Sequence, residues 1–236
     1  MFATMREDIR CILDRDPAAR NALEVFFCYP GYHAVRAYRR AHWLYTHGMK
    51  TLARLVSEWC RFRTGVDIHP AAQIGRRLFI DHACGVVVGE TTVIGDDVTL
   101  YQGATLGGTG KDTGKRHPTL ENDVMVSAGA KVLGPLTVGA HSKIGAGSVV
   151  LKDVPPYSTV VGVPGRVVKQ DGKRVADMDQ VLLPDPILEE FRRLNARLQE
   201  LERATGVATG IGLSSEDKAA EEAAIAAFEH TDEDKE

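Results

Sequence analysis

Residues 120–150 read LENDVMVSAGAKVLGPLTVGAHSKIGAGSVV, and every sixth position is aliphatic: Leu120, Val126, Val132, Val138, Ile144 and Val150. The beat returns upstream as Val88, Ile94, Leu100 and Leu106, and before that as Ile68, Ile74, Ile80 and Val86. A period of six fits neither a helix at 3.6 residues nor an alternating strand at two. It fits a short strand, a turn, and a repeat of both, with one aliphatic per repeat pointing into a narrow prism. Glycine follows many of these aliphatics, as in Ile74-Gly75, Ile94-Gly95 and Val138-Gly139, where the chain must turn a corner. One coil of such repeats cannot bury its aliphatics alone, so coils must stack.

Two irregularities interrupt the beat. The two upstream runs differ in phase by two residues, which places a small offset near Val86–Val88. The step from Leu106 to Leu120 is fourteen positions, read as two repeats with two residues added. Insertions in a solenoid map to loops on one face, often the binding face. The pattern runs from Val66 to about Val168, enough for roughly five or six coils. Val154-Pro155-Pro156-Tyr157 and Val163-Pro164-Gly165 are expected to stop the ladder, because proline has no N–H to give it.

Three segments follow: a helical region at 1–65, the solenoid at 66–168 with an extended loop at 107–119, and a helix with an acidic tail at 169–236. In the first, Asp16-Pro17 reads as an N-cap with proline at the first helical position. Pro30-Gly31 breaks the run. Val35, Tyr38, Ala41 and Tyr45 mark a second helix ending near Gly48, and a third runs from about Met49 to Arg63. Trp43 and Trp59 are expected in the core. Pro186–Thr205 reads as a helix, with Leu188, Phe191, Leu194, Leu198 and Leu201 at helical spacing. Beyond Gly206 the chain is acidic and Ala-rich, expected to be a mobile tail.

Composition sets outer limits. The chain has 236 residues, 44% hydrophobic and 26% charged, with a net charge of -3. That suits one or two globular units and gives no global field for nucleic acid. No apolar run is long enough to span a membrane, and the N-terminus lacks the apolar core of a signal peptide. Cys11, Cys28, Cys60 and Cys84 form no Cys-x-x-Cys pair and read as buried, reduced thiols of a cytoplasmic protein.

Several motifs sit on this scaffold: Asp67-Ile68-His69-Pro70, Asp81-His82, Gly85 to Thr91, and Thr105-Leu106-Gly107-Gly108-Thr109-Gly110-Lys111 running on to Arg116-His117-Pro118. Gly162-Val163-Pro164-Gly165-Arg166 lies downstream. Over about residues 10–170 the chain resembles the serine O-acetyltransferases, which move acetyl from acetyl-CoA to L-serine in cysteine biosynthesis. The resemblance implies a left-handed parallel β-helix of hexapeptide repeats.

The chemistry fits that resemblance. A serine hydroxyl needs a base, and a neutral imidazole near pH 7 typically contributes about 10²–10⁴-fold. His82 is the candidate base, and the resemblance makes Asp67 the acid that orients it, as in a Ser-His-Asp triad. The alternative for His82 is a turn histidine, and for Asp67 a cap. Attack on a thioester builds an oxyanion that backbone N–H groups can hold, and Gly108 matches that role. A zwitterionic substrate needs both signs. Arg116 suits the carboxylate, with His117 as a further donor, while Asp81 and Asp16 suit the ammonium. For acetyl-CoA the candidates are Gly108, Thr109, Lys111, Lys143 and Arg166, with Lys131 and Lys169 as further cations. Ala128-Gly129 and Ala146-Gly147, one coil apart, are expected to stack into a shallow slot for the pantetheine arm. Tight corner packing is their other reading.

No metal is expected. The resemblance implies a homotrimer with sites between subunits, with a hexamer as the alternative, and L-cysteine as a feedback inhibitor. Family members that bind O-acetylserine sulfhydrylase do so through a C-terminal Ile; this chain ends in Lys235-Glu236, so that partner is not expected. Three rival readings stay open. One is an acetyltransferase for a sugar or antibiotic hydroxyl. Another is a γ-type carbonic anhydrase holding zinc with His82, His117 and His141. The last is a scaffold without activity.

Overall fold

The computed structural model describes residues 2–110, 113–170 and 186–205. Four helices come first: α1 (Phe2–Arg15), α2 (Ala22–Cys28), α3 (Pro30–Thr46) and α4 (Lys50–Thr64). The N-cap of α2 is Asn21, whose side chain accepts from the Glu24 amide at 3.0 Å. Asp16-Pro17 is therefore a turn between helices and not a cap. Pro30 opens α3 at its first position, where a missing N–H costs nothing. Helix α4 stops at Gly65, in left-handed conformation, and hands the chain to the solenoid.

Trp43 and Trp59 do not enter the core; they are 55% and 60% exposed. Helix α4 buries the small residues Ala53, Ser57 and Cys60 and turns Leu52, Leu55, Trp59 and Phe62 outward. The cysteines divide as well. Cys11 and Cys60 are buried, and burial pushes both thiols up, Cys11 to about 11, while Cys28 and Cys84 are exposed.

The solenoid has three sides. Its first coil is β1 (Asp67–Ile68), β2 (Gln73–Ile74) and β3 (Phe79–Ile80); its second is β4 (Val87–Val88), β5 (Val93–Ile94) and β6 (Thr99–Leu100). A third contains β7 (Thr105–Gly107), β8 (Thr119–Leu120) and β9 (Met125–Val126), a fourth β10 (Lys131–Leu133), β11 (Thr137–Val138) and β12 (Lys143–Ile144). The fifth has β13 (Val149–Val150), a bridge at Val154, and β14 (Ser158–Val161). Like sides stack in parallel into sheet A (β1-β4-β7-β10-β13), sheet B (β2-β5-β8-β11) and sheet C (β3-β6-β9-β12-β14). The beat residues line the prism. Ile68, Val88, Leu106, Val132 and Val150 come from sheet A, and Ile80, Leu100, Val126, Ile144 and Val160 from sheet C, all buried. Each such side chain stabilises the stack by roughly 1.5–3 kcal/mol.

The register settles both irregularities. Ile68 pairs with Val88, so the first coil carries two residues beyond eighteen, and they lie between Ile80 and Val86. Val86 is buried in the core but is not a strand position. Ile94 pairs with Leu120, so the step from Leu106 to Leu120 is one side of a coil with eight residues inserted, not two repeats with two added. Nor do Pro155-Pro156 stop the ladder, since β14 continues sheet C in parallel. The stack ends when β15 (Arg166–Gln170) turns back antiparallel on β14.

Ion pairs fasten α1 to the corner between sheets B and C. Glu7 meets Arg76 at 2.8 Å and Arg77 at 3.1 Å, and Arg77 pairs with Asp97. Helix α5 (Pro186–Thr205) lies in a second unit and spans the residues predicted for it. The acidic tail falls outside the described residues.

Candidate active site

The functional candidates gather at two corners of the prism. Asp81 and His82 open the turn from β3 to β4, at the C–A corner. His82 and Ala83 both take left-handed backbone, with φ of 55° and 59°. The amide of Ala83 donates to Asp81 O at 2.7 Å and that of Cys84 to His82 O at 2.6 Å, making two successive three-residue turns. Such turns cost a non-glycine residue about 1–3 kcal/mol. They hold the two extra residues of the first coil and push the imidazole outward, leaving its side chain 71% exposed. Strain stored beneath an exposed imidazole points to function.

His82 Nε2 lies 4.0 Å from Asp81 Oδ1, too far for a hydrogen bond. Asp67 sits half-buried on β1, paired in register with Val87. Among the described residues no hydrogen bond or ion pair joins Asp67 to His82. The acid nearest the ring is Asp81. Burial holds the Asp81 carboxyl above its usual range; His82 pulls it down and Asp16 pushes it up again.

Asp16 reaches this corner from the end of α1. Arg15 pins that end, donating to Asp97 O and Thr99 Oγ1 at 3.0 Å and pairing with Asp97 Oδ1 at 2.8 Å. Asp16 Oδ2 then accepts from the Tyr29 hydroxyl at 2.7 Å, and Oδ1 from the Ala18 amide at 2.8 Å. Two carboxylates beside an exposed imidazole make a place for a cation.

Below His82 the C–A corner becomes a column of glycines. Gly85, Gly103, Gly129 and Gly147 all have φ between 67° and 75°, which glycine takes at little steric cost. A methyl group on Gly129 or Gly147 would meet no atom within 4 Å, so this edge is open to solvent. Ala128 is half-buried and Ala146 exposed along it. Lys131 Nζ donates to Gly129 O at 3.2 Å, at the lip of the slot. Lys143 does not serve as a surface cation: it is buried on β12, 6% exposed. Arg166 and Lys169 are exposed on β15, and Lys111 lies outside the described residues.

The second cluster occupies the A–B corner, where the inserted loop leaves β7 and returns to β8. Gly108 lies against Arg116 and His117; a methyl group there would sit 3.2 Å from Arg116 O and 3.4 Å from His117 Nε2. The His117 ring is packed over Gly89, where any side chain would overlap it. Arg116 pairs with Glu90, which holds the Glu90 carboxyl below its usual range. Burial, with Arg116 beside it, holds the His117 imidazole below its ordinary value and so favours the neutral ring. Thr91 and Lys115 fix the loop's return. Lys115 Nζ donates to Thr91 O at 2.8 Å and to Pro118 O at 3.2 Å.

The chain thus brings Gly108, Arg116 and His117 together, and separately Asp16, Asp81 and His82. Sheet A lies between the two groups, about three strand residues or roughly 10 Å wide. His141 belongs to neither. It stands at the B–C corner, with Nδ1 at 2.7 Å from Asp123 Oδ2 and its ring stacked on Tyr157. The three histidines of the zinc reading therefore stand at three different corners of one chain. No group of three or more His, Cys, Asp or Glu able to hold a metal occurs among the described residues. Tyr29, Glu90, Thr91 and Lys115 were not singled out from the sequence. Glu90 and Thr91 stood in a quoted motif, but nothing in the spacing tied them to residues 25 positions on.

A family model described as bacterial transferase hexapeptide (six repeats) matches residues 117–152. With three stacked parallel sheets, that makes the chain a hexapeptide-repeat acyltransferase built on a left-handed parallel β-helix. A second family model, serine acetyltransferase, N-terminal, matches residues 1–37. The serine acetyltransferase of Bacillus pumilus is 57% identical over 201 residues, 85% of this chain and 93% of that protein. The chain belongs to the serine acetyltransferase family. Solved relatives agree. The Brucella abortus serine acetyltransferase in complex with coenzyme A is 47% identical, with a TM-score of 0.71 over 72% of this chain and 68% of that one. A Neisseria gonorrhoeae serine acetyltransferase in complex with serine is 44% identical, with a TM-score of 0.69 over 71% and 69%. A serine acetyltransferase in complex with cysteine is 46% identical, with a TM-score of 0.74 over 77% and 71%.

Proposed function

We propose that this chain transfers acetyl from acetyl-CoA to the hydroxyl of L-serine, with His82 as general base in direct attack on the thioester. The observation that carries this reading is the pair of carboxylates, Asp16 and Asp81, beside the exposed imidazole of His82. An ammonium held there places its β-hydroxyl next to a base. Arg116, with His117, then takes the carboxylate, and the Gly108 amide meets the oxyanion, where one such donor is worth about 2.7–4 kcal/mol. The open glycine column takes the pantetheine arm, with Ala128, Gly129 and Ala146 along it and Lys131 at its lip. Asp67 orients His82 once the substrate has excluded water.

A zwitterion a few ångströms long cannot bridge sheet A. The base of one protomer must therefore meet the loop of another, and the site is completed in a homotrimer. The serine, cysteine and coenzyme A complexes of the relatives support these ligands, and cysteine, nearly isosteric with serine, is proposed to compete for the same pocket. A CoA-dependent reaction and four unpaired cysteines support a cytoplasmic setting. The test is thiol release from acetyl-CoA with and without L-serine, on the wild type and His82→Ala. Release should require serine and fall about 10²–10⁴-fold in the variant. Equal release from both proteins would remove the proposal.

A further inference from the structure

Beside the proposed serine site stands a residue that the reaction does not touch, and its role rests on the reading of His117 as a serine-contacting donor. We propose that Thr91 is a positioning residue that fixes the tautomer and orientation of His117, so that the ring offers Nε2–H, and never Nδ1–H, to the substrate.

The hydrogen bonds around Thr91 leave one consistent assignment. Its Oγ1 accepts from the Arg116 amide at 3.0 Å and the His117 amide at 3.1 Å. Those two bonds occupy both lone pairs of the hydroxyl. Oγ1 also lies 2.9 Å from His117 Nδ1, so there the hydroxyl must be the donor. The Thr91 amide donates to the same Nδ1 at 3.2 Å. Nδ1 thus faces two donors and carries no proton, and in a neutral ring the proton is on Nε2. Of the His117 ring atoms it is Nε2 that approaches Gly108, 3.4 Å from where a methyl group there would sit, toward the proposed oxyanion donor.

Thr91 does more than set a proton. Through Oγ1 it ties down the amides of both candidate carboxylate-binding residues, and through its carbonyl it holds Lys115. One side chain on the β4–β5 turn thereby anchors the end of a loop that begins thirteen residues before Leu120. Arg116 is steadied separately, by Glu90. Loop and scaffold are far apart in sequence, so the hydroxyl ties the loop's return to the scaffold as a fixed donor array.

The test uses full-length protein labelled with 15N-histidine, and His117→Gln to identify the His117 signals. In the wild type near pH 7.5, the nitrogen shifts of His117 should report a single Nε2–H tautomer. Thr91→Val keeps the shape and the amide but loses the hydroxyl. It should give a mixed or exchange-broadened His117 signal, about a tenfold rise in KM for serine, and KM for acetyl-CoA within about twofold. Thr91→Ser should restore both readouts to within about twofold. If Thr91→Val fails to fold, the serine variant and the wild-type spectrum still decide. A wild-type Nδ1–H or charged ring overturns the proposal, as does Thr91→Ser behaving no better than a His117→Gln loss, or Thr91→Val with an unchanged spectrum and serine KM. A wild type that shows the Nε2–H tautomer, lost in Thr91→Val, but acetylates no serine would sink the functional reading and leave the positioning role standing.

Discussion

The two corners that flank sheet A hold their histidines in opposite ways. At the C–A corner His82 is exposed, sits on strained left-handed backbone, and has its nearest carboxylate at 4.0 Å. At the A–B corner His117 is buried, with its Nδ1 facing two donors of one threonine. The contrast suits the proposed roles: a general base changes protonation state during the reaction, whereas a binding donor keeps one state and gains from being fixed. The surroundings follow the same division. Stacked glycines keep the edge beside His82 open, while a charged and hydroxyl-bearing loop closes over Gly89 beside His117.

Substitutions can break either side of that contrast. Gly89→Ala should be the more damaging. Its methyl group overlaps the His117 ring and would drive it off Thr91, raising KM for serine about 30-fold with little effect on KM for acetyl-CoA. Steady-state kinetics in both substrates checks this. On the open edge, Ala146→Trp should fill the slot and raise KM for acetyl-CoA about tenfold, leaving KM for serine within about twofold. A serine effect of equal size would mean that the two corners are not divided as described.

A smaller effect is expected from pH. The Asp81 carboxyl is held above its usual range by burial and by Asp16, so it takes up a proton at a higher pH than an ordinary aspartate. As pH falls through that raised value, the site loses negative charge and KM for serine should rise several-fold. In Asp81→Asn this acid limb should vanish and the KM should be raised at every pH. The check is KM for serine measured from pH 8 down to 5.

The prism was legible because each side contributes one aliphatic at a fixed spacing, and Leu120 to Val150 carry that spacing without interruption. What periodicity does not carry is register across an interruption. A step of fourteen positions from Leu106 to Leu120 fits two repeats nearly as well as one, and only the pairing of Ile94 with Leu120 decides. In the helical region, α3 and α4 pack through small residues, so Ala53, Ser57 and Cys60 lie inside while Trp59 and Phe62 face out. Hydrophobicity alone ranks those faces the wrong way round. The candidate residues themselves were legible from motifs. Their grouping was not, because it depends on which corner each occupies. Thr91 ends the Gly85–Thr91 motif, but no sequence signal ties it to Arg116 and His117, which come to it only through the inserted loop.

The proposed site takes its base from one protomer and its carboxylate clamp from another. Co-expressing His82→Ala with Arg116→Ala tests it directly. With random assembly about a quarter of all sites, one of the three in each mixed trimer, would pair an intact His82 with an intact Arg116 from the neighbouring subunit. Roughly that fraction of wild-type activity should be recovered from two variants that are each nearly inactive alone. Activity no higher than that of the separate variants, in trimers confirmed to be mixed, would contradict it.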